Sequence, residues 1–284
     1  MLFRSKQSAL NEALQSVPGL FAMNADNFAQ DLRISIRGFG ARAPFGIRGI
    51  RILVDGIPET TPDGQAQVDN IDLGFISRAE VFRGSSSALF GNASGGMINL
   101  ISELPSNKSF YGAGLTSGQY GYQKVQVKAG NSIKNLSYMV HASHNQNIGY
   151  RNHSNMKSFI LNGKAQLEID PLSRIRFQFS IANSPTANDP GSLNIDQVKA
   201  DRRQAREANV QYQAGESVSQ NRLSMIYEKQ VTTQFHFEGN LHYTTREFAN
   251  KLPFRSGGQV QLSRTFWGGR LMFLNSEIGR PSWR

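Results

Sequence analysis

Five histidines, one serine-rich segment and two polar loops hold the residues of this chain whose types can do chemistry. His141, His144, His153, His236 and His242 are scattered, and none stands in a metal-binding spacing such as HExxH. His236 and His242 are six apart on what reads as one strand face, too far for a single ligand set. The segment GSSSALFG (Gly84–Gly91) offers serines, but it lacks the GK[ST] ending of a phosphate loop and the GxSxG elbow of a nucleophilic serine. No catalytic set and no metal set emerges. What remains is binding. Arg42 and Arg48 stand in the loop Ala41–Gly49; Thr60, Thr61, Asp63, Gln65 and Gln67 stand in the loop Glu59–Gln67. Guanidinium and amide groups form charge-assisted hydrogen bonds to anions, most strongly where water is scarce. A solvated loop is the alternative for both arginines.

The elements that must carry these loops are short. Leu10, Ala13, Leu14 and Val17 recur at helical spacing within Ser8–Val17, with Pro18-Gly19 as the stop. Leu32, Ile34 and Ile36 alternate with polar residues and end at Gly38-Phe39-Gly40. Ile52 to Val54 leads into Asp55-Gly56, which suits a tight turn. Ala79 to Phe82 closes on Arg83-Gly84, and Gly95-Gly96 opens Met97 to Ile101. Asp55 reads most simply as a turn residue, and Gly38, Gly56, Gly84, Gly91, Gly95 and Gly96 as places where the backbone needs freedom. This is a compact, loop-rich α+β domain over residues 1–105.

After Pro105 strict alternation takes over, so residues 106–284 form a second domain. Leu136, Tyr138, Val140 and Ala142 alternate with Ser137, Met139, His141 and Ser143, and Ile175, Phe177, Phe179 and Ile181 alternate with Arg174, Arg176, Gln178 and Ser180. Counting from a strand at Phe110–Ser117, the links after the second, fourth and sixth strands are short, and those after the third, fifth and seventh are long. Gly118–Gly121 breaks this alternation, and Val260–Phe273 does not divide cleanly. Strands of about 10 or more residues, with short turns at one end and long loops at the other, fit a membrane β-barrel. A soluble β-sandwich also alternates, but it must bury its apolar face against a second sheet.

Composition limits the options. The chain has 284 residues, 39% hydrophobic and 18% charged, with 27 glycines and no cysteine. That leaves no disulfide framework and no thiolate metal site. No run approaches the ~20 apolar residues of a membrane-spanning helix, which is compatible with a soluble protein or with a barrel. Residues 1–105 carry 9 Lys/Arg against 10 Asp/Glu, and residues 106–284 carry 22 against 11. A basic second half can serve nucleic acid, anionic lipopolysaccharide or an anionic ligand. Nucleic acid is not expected, because the cations are scattered singly along alternating strands.

LVDGIP (Leu53–Pro58), Glu80-Val81-Phe82-Arg83-Gly84, SSALFG (Ser86–Gly91), SGGMINLIS (Ser94–Ser102) and, upstream, ISIRGFG (Ile34–Gly40) together resemble the plug domain of TonB-dependent outer-membrane receptors. The resemblance implies an α+β plug domain followed by antiparallel transmembrane β-barrel strands, with a lumen-lining place for the histidines. Such barrels use about 22 strands. Only about eight are expected here, so the barrel is incomplete and the chain a fragment. An apolar signal core and the family's TonB-contacting box are not visible near MLFRSKQSAL, so Met1 is not expected to be the native start. The implied activity is uptake of a scarce chelate into a Gram-negative cell through the outer membrane, energised by TonB, with no catalysis and no resident cofactor. Lipid and lipopolysaccharide are the expected surroundings. The family's apical plug loops floor the ligand site, which places Arg42, Arg48 and Thr60 there. DGQAQ (Asp63–Gln67) resembles the plug loop of ferric-dicitrate-type receptors, which adds Gln65 and Gln67 and makes a ferric siderophore or citrate chelate the expected cargo. Arg37 and Arg83, and with them Glu80, match plug positions expected to contact the barrel. Other cargoes (cobalamin, copper or nickel chelates, an oligosaccharide), a structural or adhesive barrel and a soluble basic binding protein remain alternatives.

Overall fold

The computed structural model describes residues 10–14, 16–24, 27–43, 45–85, 91–103, 108–256 and 258–275. The start of the expected first helix, residues 86–90 of SSALFG, the expected boundary at Pro105 and the last nine residues lie outside them.

The first domain begins with helix α1 (Leu10–Leu14), which buries Leu10, Ala13 and Leu14. Strand β1 (Leu20–Met23) pairs antiparallel with β2 (Arg33–Ile36). A four-stranded sheet follows, built from β3 (Ile50–Val54), β4 (Ile57–Pro58), β5 (Ile76–Phe82) and β6 (Gly96–Ser102) in the order β4-β3-β6-β5. β3 and β4 are joined by Asp55-Gly56, at φ +51° and +83°. Two consecutive positive φ values are what a two-residue hairpin demands, and they explain the dipeptide. β6 lies parallel to β3 and antiparallel to β5. Ile34, Ile36, Ile50, Ile52, Ile98 and Leu100 of these strands are buried in one core with Leu14 and Ile47.

The second domain is a single eight-stranded meander: β7 (Phe110–Ser117), β8 (Gln123–Ile133), β9 (Leu136–Asn147), β10 (Met156–Asp170), β11 (Ser173–Asn188), β12 (Gly215–Gln230), β13 (Phe235–Lys251) and β14 (Gln259–Asn275). Each strand pairs antiparallel with its sequence neighbours, and the sheet does not close. Most of these strands exceed the 9–11 residues that cross a bilayer. The long links 148–155, 189–214 and 252–258 share one end with 118–122. That last link belongs to the long-loop pattern after all: it folds into a 3-10 turn at Gln119–Gly121, and its Tyr120 carbonyl accepts from the amides of Ile148 and Gly149 at 3.1 Å each. Link 189–214 carries two short helices, α2 (Ile195–Ala200) and α3 (Glu207–Gln211). The region that resists division in the sequence, Val260–Phe273, is one strand of the wall.

Register decides between barrel and sandwich. One row crosses all eight strands through Tyr111, Ala129, Val140, Gly163, Phe179, Leu223, Tyr243 and Trp267. Within it Leu223 is 62% and Trp267 79% exposed. The adjacent row, on the opposite face, runs through Gly112, Lys128, His141, Asn162, Ser180, Arg222, Thr244 and Phe266. There His141, Arg222 and Thr244 are buried. A sandwich buries its apolar face and wets its polar one; this sheet does the reverse, as a wall does with lipid outside and protein within.

Candidate functional site

The two polar loops of the first domain are zipped together. Ile47 and Ala66 exchange backbone hydrogen bonds of 2.9 and 2.8 Å, and the amide of Thr61 donates to the Gln65 carbonyl at 2.8 Å. Both loops lie toward the long-link end of the wall. Phe45 and Asp31 share a cavity with Gly215 and Leu252 there, and Asn27 donates to Asp189 at 2.9 Å.

Asp63 sits at the centre of this apical surface. The Thr61 hydroxyl and the Gln65 backbone N–H donate to its Oδ1, while its Oδ2 lies 3.6 Å from Arg48 and 3.9 Å from Arg264 of β14. Burial alone would raise this carboxyl, but the donated hydrogen bonds and the two guanidiniums hold it below the usual range. Arg48 is further fixed by a 2.8 Å bond from Nη1 to the Asp63 carbonyl. Arg264 was invisible as a site residue in the sequence because it stands alone in a strand 201 positions from Asp63.

The remaining expected ligand residues divide. Arg42 is exposed. Gln65 lies across Gly46, where an added Cβ would come within 2.4 Å of its amide nitrogen, and that amide donates to Asp31 at 3.4 Å. Burial, and then the neighbouring Asp69, push the Asp31 carboxyl up. Gln67 faces a cavity of about 360 Å³ between the first domain and the wall, lined also by Asp31, Asp69 and Lys124. Thr60 is a correction: its side chain is buried and its hydroxyl does not reach the apical surface. Its neighbour Glu59 is turned into the wall, and Thr60 itself is held in a backbone bridge with Ala66 between the two loops.

Among the described residues Arg37, Arg83 and Glu80, the positions expected to contact the barrel, form no ion pair with the eight strands of the wall. Arg37 is exposed at φ +51°, in a turn where its amide donates to Gly19. Arg83 donates to the Pro18 carbonyl at 3.1 Å. Glu80 pairs with Arg78 at 3.0 Å and accepts from Asn99. Among the described residues the side-chain partners of Arg83 and Glu80 lie within the first domain, and β5 is the strand at one edge of its sheet. The seam is built with the opposite polarity, acids on the domain and bases on the wall. Asp55 accepts from Ser102, Gln178 (2.6 Å) and Lys164 (3.3 Å). Glu59 pairs with Arg222, and Asp69 takes both terminal nitrogens of Arg246 at 2.7 and 3.2 Å. Asp72 receives Lys124 at 2.9 Å and the Ser143 hydroxyl. Glu103 receives Lys128 at 2.7 Å. Asp55 is thus a turn residue and an anchor at once. Among the histidines, His141 faces this seam, whereas His144 is exposed on the outer face.

Comparison with known proteins gives this arrangement a context. Residues 2–97 match the family model described as TonB-dependent Receptor Plug Domain. The vitamin B12 transporter BtuB of Vibrio vulnificus (strain CMCP6) is 30% identical over 98 residues, which are 34% of this chain and 15% of that protein. The ferrioxamine receptor of Yersinia enterocolitica is 30% identical over 119 residues, 41% of this chain and 16% of its own length. Among solved structures, the ferric citrate transporter FecA in its unliganded form superposes with a TM-score of 0.77 at 20% identity, covering 93% of this chain and 41% of that one. The ferric yersiniabactin uptake receptor FyuA from Yersinia pestis gives 0.71 at 17%, covering 94% and 42%. At such identities the likeness is one of fold, and this chain spans less than half the length of each of these proteins.

Proposed function

From the premise that this chain carries a TonB-dependent receptor plug domain and the strands of an incomplete β-barrel, we propose that the protein works as an outer-membrane active-transport receptor for an anionic ferric chelate, of siderophore or dicitrate type. The observation that carries this reading is the reversed wall. Its apolar face is bare, its polar face is covered by the plug, and ion pairs seat the one on the other. In that role the protein is a transporter rather than an enzyme, resides in the outer membrane of a Gram-negative bacterium, and takes its energy from TonB. Lipid, with lipopolysaccharide in the outer leaflet, covers the apolar row.

The cargo is read from the apical loops. Arg42, Arg48 and Arg264 outnumber Asp63, the acid that two of them flank, and the Gln65 amide adds a neutral donor. Such a surface favours a ligand that brings several carboxylates. A second cargo, cobalamin, is favoured by one observation: stretches of this chain are as identical, at 30%, to a vitamin B12 transporter as to a ferrioxamine receptor.

Equilibrium binding of ferric citrate, a ferric hydroxamate and cobalamin to the complete receptor separates these readings. Ferric citrate should bind, and Arg42→Ala and Gln65→Ala should each weaken it about tenfold, the worth of one charge-assisted hydrogen bond. Affinities untouched by both substitutions would remove the apical site; binding of cobalamin alone would replace the cargo.

A further inference from the structure

The apical arginines already hold an anion before any cargo arrives. The Asp63 carboxylate is fixed from below by its own loop, with Oδ1 accepting from the Thr61 hydroxyl and from the Gln65 backbone N–H. Its Oδ2 is left pointing between Arg48 at 3.6 Å and Arg264 at 3.9 Å, beyond good hydrogen-bond distance from both. The three side chains are 42%, 44% and 33% exposed. The deeper pairs differ: Glu59–Arg222 and Asp55–Lys164 have side chains no more than 8% exposed, and they are closed to anything outside. Of these pairs, the one at Asp63 is loosely held and faces the side from which a ligand comes.

We propose that Asp63 is a resident counter-anion: its carboxylate occupies the place that a cargo carboxylate takes between Arg48 and Arg264, and it thereby selects for polycarboxylate chelates. The inference rests on the reading of the protein as a receptor for an anionic ferric chelate. Exchange of one carboxylate for another leaves the arginines paired at every stage. A cargo with several carboxylates reaches both guanidiniums at once with good geometry, and it displaces a single, poorly placed side chain. A neutral cargo, or one with a single weak anion, gains too little to dislodge Asp63. Arg48 keeps its backbone bond to the Asp63 carbonyl throughout, so the loop does not have to unfold for the exchange.

The test uses the complete receptor with ferric citrate, citrate alone and cobalamin as probes. Asp63→Asn retains an oxygen for Thr61 and Gln65 but no charge. Ferric citrate should then bind about fivefold tighter, the scale of an exposed ion pair, with cobalamin affinity unmoved. Arg264→Gln should weaken ferric citrate about tenfold both in the wild type and beside Asp63→Asn. Equal or weaker ferric citrate binding by Asp63→Asn, or indifference to Arg264→Gln, overturns the role of Asp63 and leaves the chelate reading in place. Failure of ferric citrate and citrate to bind either protein overturns both.

Discussion

At Asp55 the backbone stands at φ +51° to close a hairpin, while the carboxylate gathers Ser102, Gln178 and Lys164. The first duty was legible, because Asp-Gly between apolar runs has a local signature. The second was not, since Lys164 is 109 residues away and reads as one more polar position in an alternating strand. The same limit hid Arg222, Arg246 and Arg264. Local pattern reports which face a side chain takes; it does not report what waits opposite. Asp55→Ala in the complete receptor should leave the Lys164 ammonium buried without its counter-charge, at a cost of about 3–5 kcal/mol. Urea unfolding of the plug, followed by protease accessibility, measures this. Restoration of stability by the paired change Lys164→Met is the expected control, and an unchanged midpoint for Asp55→Ala would refute the anchor.

Among the elements, the strands of the wall were the most legible, because one lipid face and one protein face impose period two on every strand. Their links followed from the same count. β14, over the stretch that did not divide cleanly, carries Gly268-Gly269 in its middle. In the structure both stand in regular pairing, Gly268 against the His242 ring and Gly269 against Leu241, where a side chain would collide. The parallel pairing of β3 with β6 across the plug was illegible for another reason: neither strand carries a mark of its partner. The orientation of the wall makes a sharp prediction. Leu223→Arg, on the bare apolar row, should cost about 2–4 kcal/mol, the price of a cation facing lipid. The neighbouring Ser219→Arg, nearer the long-link end of β12, should cost less. Folding into vesicles, read by retained electrophoretic compactness, distinguishes them, and equal effects would mean that this face does not meet lipid.

For the whole molecule, the charge imbalance between the halves was plain in the sequence, and its meaning was not. The surplus cations looked available to an external anion. Five of them, Lys124, Lys128, Lys164, Arg222 and Arg246, are turned inward onto plug carboxylates. Acid should therefore loosen the seating. At Asp72, burial would raise the carboxyl, but Lys124 and the Ser143 hydroxyl hold it below the ordinary range. A depressed acid contributes stability above its unfolded value of about 4, and that contribution is lost as pH falls through the lower, folded value. Asp31 runs the other way: its raised carboxyl favours the fold in acid, and that favour fades as pH rises between its unfolded and folded values. Hydrogen-exchange protection of plug amides in the complete receptor, taken relative to their intrinsic exchange rates, should stay high from neutrality to about pH 4 and fall below it. Asp72→Asn should be less protected at neutrality and flatter with pH; an acid response identical to wild type would contradict this assignment.

The inward-facing cations also decide what this arc of wall would be without its occupant. Stripped of Asp55, Glu59, Asp69, Asp72 and Glu103, it would present a column of unbalanced ammonium and guanidinium groups to open water. A conduit lined in that way passes chloride more readily than potassium. If the protein acts as proposed above, the first domain is also the counter-charge that keeps this arc of the wall from favouring an anion leak.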